Sequence, residues 1–181
     1  PYESAEGDTQ FVLGTRYTLL RPKFWSVSAK EISPVVNNVL LCVGGDDSLG
    51  VMPWLVRILD AVVDAKCIFN VVLGPYFLND EEIQQIILPS SRELRFFKGA
   101  DSLYDLMRIN DVAVTAGGQT AYELAATGTP ALAVSLFDNQ ERGVRALADA
   151  GALLFSGCVE DGRLPSELPK IFGRLVSQPN L

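Results

Sequence analysis

The sequence predicts an α/β fold, a Rossmann-like parallel sheet with helices on both faces. Three observations carry that prediction. Short apolar runs alternate with helix-length segments along the whole chain. The runs are β-branched and uninterrupted, as in strands buried inside a parallel sheet. Two of them end in paired glycines just before a helix, Gly44-Gly45 and Gly117-Gly118. Strand–helix–strand units of this kind wind right-handed.

Taken in order, residues Pro1 to Gln10 are polar and turn-rich and read as a lead-in. Phe11 to Trp25 is more structured. Asn38 to Val43 is the first strand, and a helix follows from Val51 to Val63. The intervening Gly44-Gly45-Asp46-Asp47-Ser48 makes a phosphate-type or close-approach turn. Asp46 there reads as a helix cap or turn residue. Cys67 to Leu73 is the second strand. Asp80 to Leu88 is a helix stopped by Pro89. Leu94 to Lys98 is the third strand, and only one of Phe96 and Phe97 can face a given side. Asp101 is placed to cap the next helix, whose Leu103, Leu106, Met107 and Ile109 fall near one face.

Asp111 to Thr115 and Ala131 to Leu136 are the fourth and fifth strands. The helix between them opens at Gly117-Gly118 and ends at Gly128. Asp138 to Ala150 is a helix that Asp138 and Glu141 start with near capping-box spacing. Gly151 stops it. Ala152 to Phe155 makes a short sixth strand, and Leu164 to Val176 a terminal helix, with Pro165 and Pro169 in its first turn or outside it.

The 181 residues suffice for one domain with a sizeable core. Apolar content of 48% and charged content of 20% describe an ordinary globular protein. A net charge of −7 argues against nucleic acid and anionic membranes as partners. No apolar run is long enough to span a bilayer. Cys42, Cys67 and Cys158 have no metal-ligand spacing and read as thiols in a reducing cytoplasm. The chain contains no His, so no His base can act within it, and neither metal nor cofactor is expected.

The most informative stretch is Val112 to Gln140. Its glycine turn opens a helix whose free N–H groups and positive dipole end suit a phosphate. Glu123 lies about one turn further in, and with Thr120 it also has the spacing of a capping box. A second polar cluster, Asp138-Asn139-Gln140, follows the next strand. Open α/β sheets bind ligands at such carboxyl edges. The glycines do not follow the Gly-x-Gly-x-x-Gly pattern. The second strand ends in Gly74-Pro75 rather than an acidic residue, and no Walker lysine is present. A dinucleotide-binding domain is a poor match.

Ala116-Gly-Gly-Gln-Thr-Ala-Tyr-Glu-Leu-Ala-Ala-Thr-Gly-Thr-Pro130 followed by Phe137-Asp-Asn-Gln140 resembles the C-terminal domain of the GT-B nucleotide-sugar enzymes. Within that group it is most similar to the UDP-sugar hydrolases of pseudaminic acid biosynthesis and the spore-coat polysaccharide synthesis proteins. The lipid II glycosyltransferase of peptidoglycan synthesis is a more distant relation. The resemblance covers about Leu13 to Gly151. It implies that residues 1–24 are a linker from an N-terminal domain and 25–181 the nucleotide-sugar-binding domain. The alternative for Leu13 to Phe24 is an edge strand or loop packed on this domain.

The resemblance also implies roles. Gly117, Gly118, Gln119 and Thr120 would hold a diphosphate, and Glu123 the vicinal hydroxyls of a ribose. Phe97, Lys98 and Gly99 would flank uracil. Asp138, Asn139 and Gln140 would meet sugar or phosphate, and Gly44, Gly45 and Asp46 would face the interdomain cleft. The implied ligand is UDP or a UDP-sugar, and the catalytic base would lie on the N-terminal domain. The domain alone would then be catalytically silent, with an interdomain face open to homodimer formation. The competing expectation is a stand-alone Rossmann-like binding or assembly module without nucleotide.

Overall fold

The computed structural model describes residues 10–77, 81, 86–87, 92–99 and 103–180. The predicted lead-in over residues 1–9, most of the predicted helix Asp80 to Leu88 and the predicted cap Asp101 lie outside them. Six strands form one sheet: β1 (Asn38–Cys42), β2 (Ile68–Leu73), β3 (Leu94–Lys98), β4 (Val112–Ala116), β5 (Ala131–Ser135) and β6 (Leu154–Cys158). Their order is β3-β2-β1-β4-β5-β6, and every adjacent pair is parallel. The order reverses between β1 and β4, where Cys42 registers with Thr115. That reversal opens a crevice at the carboxyl edge. The predicted fold class is therefore the observed one.

Burial on both faces follows from the strand composition. Val39 and Leu41 of β1 turn to one face, and Leu40 and Cys42 to the other. The first face is covered by α1 (Val51–Asp60) and by the C-terminal helix Leu164–Ser177, here α5. The second is covered by α2 (Leu103–Ile109), α3 (Gln119–Thr127) and α4 (Asp138–Asp149). Phe96 packs on the first cluster and Phe97 on the second, as alternation requires. No helix among the described residues is long and apolar enough to cross a membrane.

Several local expectations are corrected. Ile109 is exposed and Asn110 is the buried residue at the end of α2. Positions 103, 106, 107 and 110 are the true i, i+3, i+4, i+7 stripe. Asn110 tolerates burial because its amide donates to Leu106 O and its carbonyl oxygen accepts from Asn70 Nδ2 at 2.7 Å. Asp138 does not cap α4. Phe137 holds the cap position, and Glu141 pairs forward with Arg145. Pro169 lies inside α5, in its second turn, where it removes one backbone donor near the helix start. The sixth strand is shifted to Leu154–Cys158, and Cys67 immediately precedes β2.

Residues 15–25 contain two short 3-10 turns, Thr15–Tyr17 and Pro22–Phe24. They form no strand. Phe24 is buried in the second core cluster, with Leu20 packed partly buried against it.

Candidate functional site

The carboxyl edge of the sheet carries two pockets on either side of the Gly44-Gly45 turn. The first, about 320 Å³, lies between that turn, the start of α3, and the turn after β5. The second, about 260 Å³, lies between the same turn, the ends of β2 and β3, and Glu123 of α3. Gly44, Gly45, Gln119 and Thr120 line both. The two glycine turns therefore meet over the strand reversal.

The two helix starts differ electrostatically. Asp47 accepts from the N–H groups of Val51 and Met52, both at 2.7 Å, so the first turn of α1 already faces a carboxylate. Gly50 holds the cap position, and Asp47, not Asp46, supplies the carboxylate that meets the first-turn donors, while Asp46 is exposed on the rim of the first pocket. The expected phosphate-type character of this turn is thereby spent on Asp47. At α3 the cap position is Gly118, which has no side-chain cap. Among the described residues no side chain takes the N–H groups of this helix start, and Gly118, Gln119 and Thr120 line the first pocket.

Of the expected diphosphate residues, Gly118, Gln119 and Thr120 line the first pocket. Gly117 is buried beneath α4. A Cβ there would stand 2.4 Å from Val144 Cγ2 and 3.0 Å from Gln140 Cβ. Its lack of a side chain serves packing. Gln119 donates from Nε2 to Leu19 O at 2.7 Å. Glu123 is 2% exposed and lines the second pocket. It makes no capping box with Thr120. Instead Arg21 Nε and Nη2 donate to its two oxygens at 2.7 and 2.9 Å. Gly99 also lines the second pocket, whereas Phe97 packs on the core and Lys98 is exposed. Gln140 lines the first pocket, its Oε1 accepting from Leu136 N at 3.0 Å. Asp138 and Asn139 are exposed and line neither pocket.

No protein-family model matches the chain. An uncharacterised protein of Methanocaldococcus jannaschii, MJ1062, is 29% identical over 147 residues, which cover 77% of this chain and 29% of the relative. The spore coat polysaccharide biosynthesis protein SpsG of Bacillus subtilis is 27% identical over 161 residues, 86% of this chain and 46% of that protein. The chain thus spans less than half the length of these curated relatives. Among solved structures, MurG of Acinetobacter baumannii superposes with a TM-score of 0.58 at 14% identity, over 96% of this chain and 48% of that one. The spinosyn rhamnosyltransferase SpnG complexed with thymidine diphosphate superposes at 0.51 with 18% identity, over 97% and 46%. The fold is the Rossmann-like fold of GT-B glycosyltransferases.

Within this GT-B-type domain, three pocket residues escape sequence reasoning. Arg21 is 102 positions from its partner Glu123, and nothing local marks it. Phe137 lines the first pocket and is half exposed, though its motif position suggested no chemistry. Gly74 ends β2, where a Cβ would lie 2.1 Å from Gly45 O. A glycine closing a strand beside another glycine turn was its available signal. Cys42 also lines the second pocket. Burial pushes its thiol up, against opposing hydrogen bonds from the Gly44 backbone and Thr120, so it is a poor thiolate nucleophile.

Proposed function

We propose that this domain binds the nucleoside diphosphate end of a UDP-sugar for a glycosyltransferase or nucleotide-sugar hydrolase. The pathway proposed is surface-polysaccharide or nonulosonic-acid synthesis, of which pseudaminic acid is one product. One observation carries the reading: the uncapped, glycine-started helix α3 opens onto paired pockets at the strand reversal. The similarity to SpsG and the thymidine diphosphate held by SpnG point the same way.

In this reading Gly118 and Thr120 donate to the diphosphate, with Gln119 beside them. Each charge-assisted hydrogen bond contributes about 1.5–3 kcal/mol, which offsets the acidic net charge. Glu123 accepts from the ribose diol in the second pocket. The base lies near Gly99, and the sugar extends over Gln140 and the adjacent Asp138 and Asn139. The catalytic base belongs to an N-terminal domain outside these residues, and the cleft between the domains runs over Gly44, Gly45 and Asp46. The domain alone is then silent in catalysis, in a cytoplasmic protein.

Isothermal titration with UDP tests this. The domain should bind UDP, and Glu123→Ala should weaken binding by about tenfold or more, the loss of one to two hydrogen bonds to a charged group. No binding by the unaltered domain, or equal binding by both proteins, overturns the reading. A second reading, a binding or assembly module without nucleotide, draws on the occupation of Glu123 by Arg21 and of Gln119 by Leu19. The same titration separates the two.

A further inference from the structure

We propose that Arg21 is a positioning residue for ribose recognition, presented to the nucleotide site by the segment 19–24. The proposal rests on the UDP-sugar reading above and adds the residue that makes Glu123 competent.

Glu123 is buried to 2% exposure, and a carboxylate so placed is strongly disfavoured without a partner. Arg21 supplies that partner through a two-point fork, Nε to Oε1 at 2.7 Å and Nη2 to Oε2 at 2.9 Å. This geometry uses one acceptor direction on each oxygen and fixes the plane of the carboxylate. The second direction on each oxygen points outward, away from the fork, and the two diverge, so each oxygen keeps one lateral acceptor for a single hydroxyl. Both side chains line the 260 Å³ pocket. Among the described residues, Arg21 is the cationic side chain lining these pockets, beside Asp46, Asp47 and Glu123.

The segment that presents Arg21 is fastened on several sides. Its guanidinium sits 5.3 Å from the ring centre of Phe24, which is buried in the core and meets Tyr104 edge-on. Trp25 Nε1 donates to Leu20 O at 2.8 Å, and Lys23 pairs with Asp105 of α2 at 2.8 Å. Leu19 O accepts from Gln119, at the start of α3. The chain before the first strand therefore touches both the residue proposed for the ribose and one proposed for the diphosphate. A lysine in place of Arg21 keeps the charge but cannot make the planar fork.

The test compares UDP with 2′,3′-dideoxyuridine 5′-diphosphate by titration on the whole chain. The unaltered protein should prefer UDP by about tenfold or more, since the diol's bonds go to a charged acceptor. Arg21→Ala should reduce that preference to within about threefold, mostly by weakening UDP, and Arg21→Lys should fall between. Lys170→Ala, on α5 over the other face of the sheet, should keep the full preference. If Arg21→Ala does not fold, the Arg21→Lys ratio decides, and a ratio equal to that of the unaltered protein overturns the proposal. An unchanged ratio in Arg21→Ala, or tighter UDP binding by it, also overturns the proposal, the latter because Arg21 would then be excluding the diol. Absence of UDP binding by the unaltered protein instead sinks the UDP-sugar reading itself, and this proposal with it.

Discussion

Gly117 and Gly118 are adjacent but answer to different demands. Gly117 lies under α4, where an added Cβ would press on Val144 and Gln140. Gly118 has nothing within 4 Å of its Cβ position and a φ of −86°. Gly117→Ala should therefore destabilise the domain by about 1–3 kcal/mol, the usual penalty for overpacking. Gly118→Ala should change stability by less than about 0.5 kcal/mol. Denaturant melts of the two variants check this pair of outcomes. The glycine pair was legible in the sequence as a tight turn before a helix. Which member serves packing and which lines the pocket was not, because Val144 lies 27 positions away in the chain.

Helix starts carry the same lesson at the scale of elements. The sequence around residues 44–51 offers two adjacent aspartates, and hydrophobic periodicity does not choose between them. In the structure it is Asp47 that accepts from two backbone donors of α1. Asp47→Ala should cost about 1–2 kcal/mol, and Asp46→Ala nearly nothing, in thermal or urea unfolding. Among the described residues the start of α3 has no comparable side chain, and the proposed diphosphate site lies there. The sequence places strands β1 to β5 within one residue at either end, because buried β-branched runs are bounded by glycines and polar turns; the short β6 ends three residues later than predicted. The α2 stripe was misread at one position, where a buried polar residue, Asn110, took the place of an exposed apolar one. Apolar counting misses such positions, since Asn110 is satisfied only by Leu106 O and by Asn70 from another strand.

Over the whole molecule, the segment from Arg21 to Asn38 spans the second helical layer from one sheet edge to the other. It begins at Glu123 on the carboxyl side. It ends where Asp111 accepts from the N–H groups of Asn37 and Asn38, beside the start of β1. Lys30 clasps its middle, donating to Met107 O, Asn110 O and Thr129 Oγ1. Burial pulls Lys30 from its ordinary 10.5 down to about 8, with Asp111 opposing and Arg108 assisting. Between those values the unfolded chain holds a proton that the folded chain has released. Stability from this group therefore rises as pH increases from about 8 to 10.5, and is lost as pH falls through about 8. The unfolding free energy of the unaltered protein minus that of Lys30→Met should climb across that window. Burial pushes the three thiols up as well, and the subtraction cancels their contribution.

The sequence by itself determined the α/β class, the parallel buried strands and the two glycine turns at the carboxyl edge. These are local properties, fixed by side-chain periodicity and by what glycine and proline allow the backbone. Only the tertiary structure decided the strand order, the crevice at its reversal and the pairing of Arg21 with Glu123. Those depend on contacts between residues far apart in sequence, for which a single chain carries no local mark. The carboxylate was visible from its spacing, but its partner became visible only when the chain had folded back onto it.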